Sequence, residues 1–160
     1  MDICSDALLT TAAAITIDGP GGESYMEDGS FSTLVSLPQE MGGSGEGFSP
    51  AKFLALGCSS SFSFTLAAIM EESELAGRTR ISCKVSMVPD KAGGDSKFAI
   101  AMDVAVKGLE LRQVQSLADV AFERCPVSKA VKGNAELKVH IMPYEEKEPP
   151  IFEADSNWAI

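Results

Sequence analysis

Residues 49–77, SPAKFLALGCSSSFSFTLAAIMEESELAG, limit what this chain can become. Ser49 is a strong N-cap residue, and Pro50 suits the first helical position, where a missing N–H costs nothing. Gly77 suits a left-handed C-terminal cap. Between them the segment is apolar nearly all round until Glu71, the pattern of a helix buried on most sides. The polar end, Glu71 to Glu74, marks where that helix meets water. In its middle lies GCSSSF, a run of small residues and a thiol. Small side chains there let other elements approach closely, or leave room for a ligand.

Wrapping such a helix needs material, and 160 residues with 45% hydrophobic side chains supply one domain with a real core. We read residues 1–160 as that single domain. The net charge of −10 argues against nucleic acid or an anionic membrane as partner, since both call for a basic face. Lys52 and five serines or threonines by Thr65 interrupt the long helix, so a membrane span is not expected. The opening MDICSDALL has an acid at its second position and no basic region, unlike a secretory signal. The four cysteines, Cys4, Cys58, Cys83 and Cys125, are widely spaced and form no CxxC pair. Reduced thiols in the cytoplasm are therefore the expectation.

Taken in order, residues 11–18 read as a first strand and 18–23, DGPGGE, as a turn. Residues 24–27 and 31–37 flank Asp28-Gly29, a strong hairpin signal. Residues 38–48, PQEMGGSGEGF, read as a flexible glycine-rich loop. It is not a phosphate loop, because no Lys-Ser/Thr follows the glycines and Glu46 would repel an anion. After the long helix, Ile81, Cys83, Val85 and Met87 alternate with polar residues, and Phe98, Ile100, Met102, Val104 and Val106 alternate again. These two runs make a second hairpin around PDKAGGD. Residues 110–124 form an amphipathic helix whose stripe of Leu111, Val114, Leu117, Ala118 and Ala121 leads to Cys125. Pro126 stops that helix or starts a short new one. Ala135, Leu137, Val139 and Ile141 alternate in a last strand. Residues 143–160 form an acidic tail, either a loose end or an arm laid over a partner. The sum is an α+β domain with antiparallel sheet segregated from helices.

The element order, GGSGEGFSPAKFLALGCSSSF in the first half and CPVSKAVKGN in the second resemble the OsmC/Ohr family over roughly residues 15–142. Family members share a Gly-Gly loop, an N-P-E-x-L-F-A-A-G-Y-x-x-C-F helix and a C-P-x-S-x-A-x-x-G-N element. This chain is similar at Gly42, Gly43, Pro50, Ala55, Gly57, Phe62, Cys125, Pro126, Ser128, Ala130, Gly133 and Asn134. The resemblance implies an OsmC-like fold with antiparallel sheets and an intertwined homodimer around two long central helices. It implies reduction of organic hydroperoxides by a pair of thiols in an oxidative stress response, with dihydrolipoyl groups of a lipoylated protein as reductant. It calls for no cofactor. It places the family's peroxidatic cysteine on Ser61, its glutamate on Ala51, its arginine near Pro20 and its resolving cysteine on Cys125. A serine hydroxyl is not oxidised as a thiolate is.

What remains for chemistry is a low-pKa thiol that a peroxide can reach. Cys58 lies one helical turn before Ser61 and is a candidate nucleophile to pair with Cys125. A buried, inert thiol is the alternative. Cys125 precedes Pro126 and a short helix whose first amides would favour a thiolate, or else it closes the core stripe. Cys83 reads as packing and Cys4 as incidental. His140 stands alone on the last strand, so neither a zinc site nor a serine hydrolase fits. The serines 59–61 bond back to helix carbonyls. The apolar run Phe53, Leu56, Phe62, Phe64, Leu66 and Ile69 reads as core. Two functions stay open: a thiol peroxidase with rearranged cysteines, and a non-catalytic dimer that binds a small apolar molecule or a protein.

Overall fold

The computed structural model describes residues 9–146, so Cys4 and most of the acidic tail lie outside it. The chain divides into two compact units, Met1–Ala55 and Leu56–Ile160. In the first, β1 (Ala14–Ile17), β2 (Glu23–Met26) and β3 (Ser32–Leu34) form an antiparallel sheet in that order. The Asp28-Gly29 turn closes the expected hairpin: Gly29 has φ 76°, and its N–H donates to Met26 O at 2.9 Å. The glycine-rich loop is more ordered than its composition suggests. Residues Gln39–Met41 make one 3-10 turn, Gly43 N–H returns to Pro38 O at 3.0 Å, and Gly47 N–H donates to the buried Ser36 Oγ at 2.8 Å. Phe31, Phe48 and Phe53 pack with ring centroids 5.3–6.3 Å apart, and Lys52 Nζ lies 5.5 Å from the Phe48 centroid.

The long helix α1 runs Pro50–Glu72. It starts where Ser49-Pro50 predicts, but Gly77 is not its cap. Leu75 N–H reaches Met70 O at 2.9 Å and Glu74 N–H reaches Glu71 O at 3.0 Å, with Glu74 at φ 54°. That is a Schellman closure with a glutamate in the left-handed position. Gly77 serves a close approach instead, since a Cβ there would lie 2.6 Å from Lys107 O. One stripe of α1, Cys58, Phe62, Leu66 and Ile69, is buried. The expectation of a helix buried on most sides fails within the single chain: Leu56 is 56% exposed and Phe64 77%. By length and composition α1 is also apolar enough to cross a membrane, against the reading from Lys52 and the hydroxyl residues; the core helix of a water-soluble protein passes the same test.

In the second unit β4 (Thr79–Pro89) and β5 (Ser96–Val106) pair antiparallel from Thr79↔Val106 to Pro89↔Ser96. Helix α2 (Leu111–Arg124) follows, its first turn held by Glu110 N–H on Gln113 Oε1 at 3.0 Å. The short helix α3 (Pro126–Val131) starts at Pro126, and β6 (Glu136–Ile141) ends the sheet. The antiparallel expectation fails at one place: β6 runs parallel to β5, Ala99↔Glu136 through Val104↔Ile141. A parallel neighbour cannot be reached by a tight turn, so α2 and α3 together form the crossover. The core joins Phe62 and Leu66 to Ile100, Met102 and Val104 of β5 and to Val114, Ala118 and Ala121 of α2.

Candidate functional site

The crossover sets where the chemistry can be. Cys125 is at once the C-cap of α2, its N–H on Ala121 O at 2.8 Å, and the N-cap of α3, its carbonyl accepting Lys129 N–H at 3.0 Å. Its side chain is fully buried. From α1, Ser61 presents its hydroxyl at 3.3 Å from Cys125 Sγ. Burial pushes the Cys125 thiol up, but hydrogen bonds from the Ser61 hydroxyl, from the backbone and side chain of Ser128 and from the Val127 backbone outweigh it. The net direction is down. All of the groups that lower it are neutral donors, which act strongly on a thiolate because little water competes for it. Ser128 Oγ is buried without a hydrogen-bond partner of its own among the described residues, three positions after Cys125.

The other site residues fall unevenly. Cys58, 2% exposed, is raised by burial, lowered by a hydrogen bond from the Cys83 thiol and raised by the nearby Cys125. Cys83, on β4 and half-buried, is pushed up to about 12 by burial, by the charge of Cys58 and by its hydrogen bond to Cys58. The structure brings Ser61 to Cys125, while Cys58 is buried on the same helix as Ser61 and Cys83, which the sequence reading assigned to packing, is half-buried on β4. Ser59 and Ser60 bond back to Leu56 O at 3.1 and 2.8 Å, as expected, but Ser61 departs from the expectation and turns its hydroxyl to Cys125 instead. His140 Nδ1 sits 3.3 Å from Asp103 Oδ1 on an exposed part of the sheet. Among the described residues no group of three potential ligands could hold a metal ion. Ala51 and Pro20, where the resemblance puts a glutamate and an arginine, carry no charge.

Fold and site together define a small α+β thiol protein built around one long helix. Residues 43–140 match the OsmC-like protein family, and the chain belongs to it. It is 27% identical over 133 residues to the organic hydroperoxide resistance protein OhrB of Bacillus subtilis, covering 83% of this chain and 98% of that one. A second relative is organic hydroperoxide resistance protein-like 2 of Staphylococcus saprophyticus, 29% identical over 129 residues, with 79% and 91% covered. The crystal structure of Bacillus subtilis OhrB superposes with a TM-score of 0.77 over 84% of this chain and all of that one. An organic hydroperoxide resistance protein OsmC from Legionella pneumophila, 24% identical, shares the fold with a TM-score of 0.80, over 84% and 98% of the two chains.

Proposed function

We propose that this chain acts in the oxidative stress response by reducing organic hydroperoxides through Cys125. The observation that carries this reading is the Ser61 hydroxyl at 3.3 Å from Cys125 Sγ. At the position of the family nucleophile stands a donor that favours the remaining thiol as thiolate. The thiolate attacks a peroxide oxygen, the O–O bond breaks, and the alkoxide takes a proton and leaves as alcohol. Cys125 becomes a sulfenic acid, which condenses with the Cys58 thiol, releasing water and forming a disulfide. A dithiol, such as the dihydrolipoyl group of a lipoylated protein, returns both cysteines to thiols. The relatives named as organic hydroperoxide resistance proteins support the substrate class.

A single domain that pairs with a second copy through α1 fits this reading. Leu56 and Phe64 are exposed on one side of that helix, beside a groove of about 400 Å³ lined by Leu56, Gly57, Ser59, Ser60, Ser63 and Ile81. A helix face with exposed apolar residues at its ends and small residues between them suits close approach of another helix. A cytoplasmic location, where thiols stay reduced, belongs to the same reading.

A non-catalytic dimer that binds an apolar small molecule or a protein is the second reading, favoured by the complete burial of Cys125 and the uncharged Ala51 and Pro20. Consumption of tert-butyl hydroperoxide with dihydrolipoamide as reductant separates the two. Multiple turnovers that vanish in Cys125→Ala and Cys58→Ala support the enzyme. A rate no higher than that of the uncatalysed reaction leaves the binding protein.

A further inference from the structure

We propose that the groove at the start of α2 is the seat of this chain's own C-terminal segment, with Ile151 and Phe152 as the side chains that fill it. The groove has a volume of about 670 Å³, the size of a ligand pocket. Its walls are mostly apolar: Val106 from the end of β5, Leu109 and Leu111 from the turn into α2, and Met142 and Tyr144 from the chain after β6. Leu111 is 49% exposed and Met142 46%, so a concave apolar surface stands open to water and favours a cover. Lys107, the one cation among the described lining residues, is already held by Glu146 Oε1 at 2.6 Å. With Glu110 and Glu146 also on its walls, the groove offers an anion no unpaired cation, and an apolar occupant suits it.

The path of the chain points to that occupant. Met142 N–H donates to Val104 O at 2.9 Å, which carries the pairing of β6 one residue further along β5, and Pro143 and Tyr144 then run along the groove wall. Glu146 ends the described path at the same groove, fixed by Lys107 at 2.6 Å and by Arg78 at 3.8 Å. The sequence after it, outside the described residues, is Lys147-Glu148-Pro149-Pro150-Ile151-Phe152. Ile151 stands five residues beyond Glu146, a span of at most about 17 Å when extended, so it can turn back onto the groove from which the chain departs. Pro149-Pro150 leave the spacer few conformations to lose on docking. A tether this short holds the segment at an effective concentration on the order of millimolar, which a free partner of the same chemistry must exceed. Seated there, Ile151 and Phe152 cover Leu111 and Met142 and tie the exit of β6 to the start of the α2–α3 crossover.

The test places p-benzoylphenylalanine at position 152 of the full chain, in a mixture of isotopically light and heavy protein, and maps photo-cross-links by peptide mass spectrometry. Cross-links should fall on Leu111 or Met142 of the same chain. Burial of one aromatic side chain supports a preference of about tenfold, so Leu111→Glu, whose folding is checked by circular dichroism, should lower their yield by about that factor. In the unmodified chain, Phe152→Asp should speed hydrogen exchange at residues 107–114 by about tenfold for the same reason. Cross-links joining light to heavy chains would give the groove to a second copy and overturn the proposal. Cross-links scattered over the surface, or exchange unchanged in Phe152→Asp, would overturn it as well.

Discussion

Replacing Ser61 by alanine isolates the contact on which the reading of Cys125 stands. The hydroxyl is 3.3 Å from the sulfur and is the foremost of the groups that lower its pKa. A hydrogen bond to a charged group contributes about 1.5–3 kcal/mol. Sulfur is a diffuse acceptor, which favours the lower end, and about 1.4 kcal/mol corresponds to a tenfold change in an equilibrium. Ser61→Ala should therefore hold about tenfold less Cys125 thiolate at any pH below the thiol range, and alkylation of Cys125 by iodoacetamide, read by mass spectrometry, should slow in proportion. A depressed thiol contributes stability above its unfolded pKa, and that contribution is lost as pH falls through its folded pKa. The stability gap between wild type and Ser61→Ala should thus be widest at alkaline pH and close on acidification. Equal alkylation rates across the pH series would refute the idea that Ser61 supports the thiolate.

Three further outcomes follow from local geometry. Glu74→Gly should raise stability by about 0.5–1 kcal/mol, seen as a higher Tm, because a side chain at φ 54° is strained where glycine is not. Gly77→Ala should lower it by about 1–3 kcal/mol in chemical denaturation, since the new Cβ meets Lys107 O at 2.6 Å. Phe64→Glu, which puts a charge on the 77% exposed position of α1, should convert the proposed dimer to monomer in sedimentation; a wild type already monomeric would refute that proposal.

Local rules made much of this fold legible. Ser49-Pro50 marks the start of α1, the alternation in 79–106 gives β4 and β5, and the α2 stripe runs into Cys125 because cap chemistry and periodicity are properties of neighbouring residues. What failed depends on partners distant in sequence. The alternation of residues 135–141 states a strand but not its direction, and the helical crossover before it was the overlooked hint of a parallel pairing. The end of α1 was misplaced because Glu74 takes a conformation that propensity assigns to Gly77. The exposure of Leu56 and Phe64 was invisible because an all-apolar helix does not say which of its faces the same chain covers. Ser61, Cys58 and Cys125 were legible as candidates; the contact of Ser61 with Cys125 was not, because it joins α1 to the joint of α2 and α3, 64 positions apart.

The parallel seat of β6 also bears on the order in which the molecule assembles. The β4–β5 hairpin closes over a short turn, whereas β6 pairs with β5 only after the whole α2–α3 segment has been looped back. Loop closure of that length is entropically costlier and slower than hairpin formation. Cys125 sits at the joint of that segment, so its contact with Ser61, 64 residues earlier in the chain, is expected to form late, whereas Ser128 is a local neighbour. Pulsed alkylation during refolding should find Cys125 as reactive as an unfolded cysteine after β4 and β5 are already protected from hydrogen exchange. The topology thus predicts that the β4–β5 hairpin forms before the surroundings of Cys125 are complete.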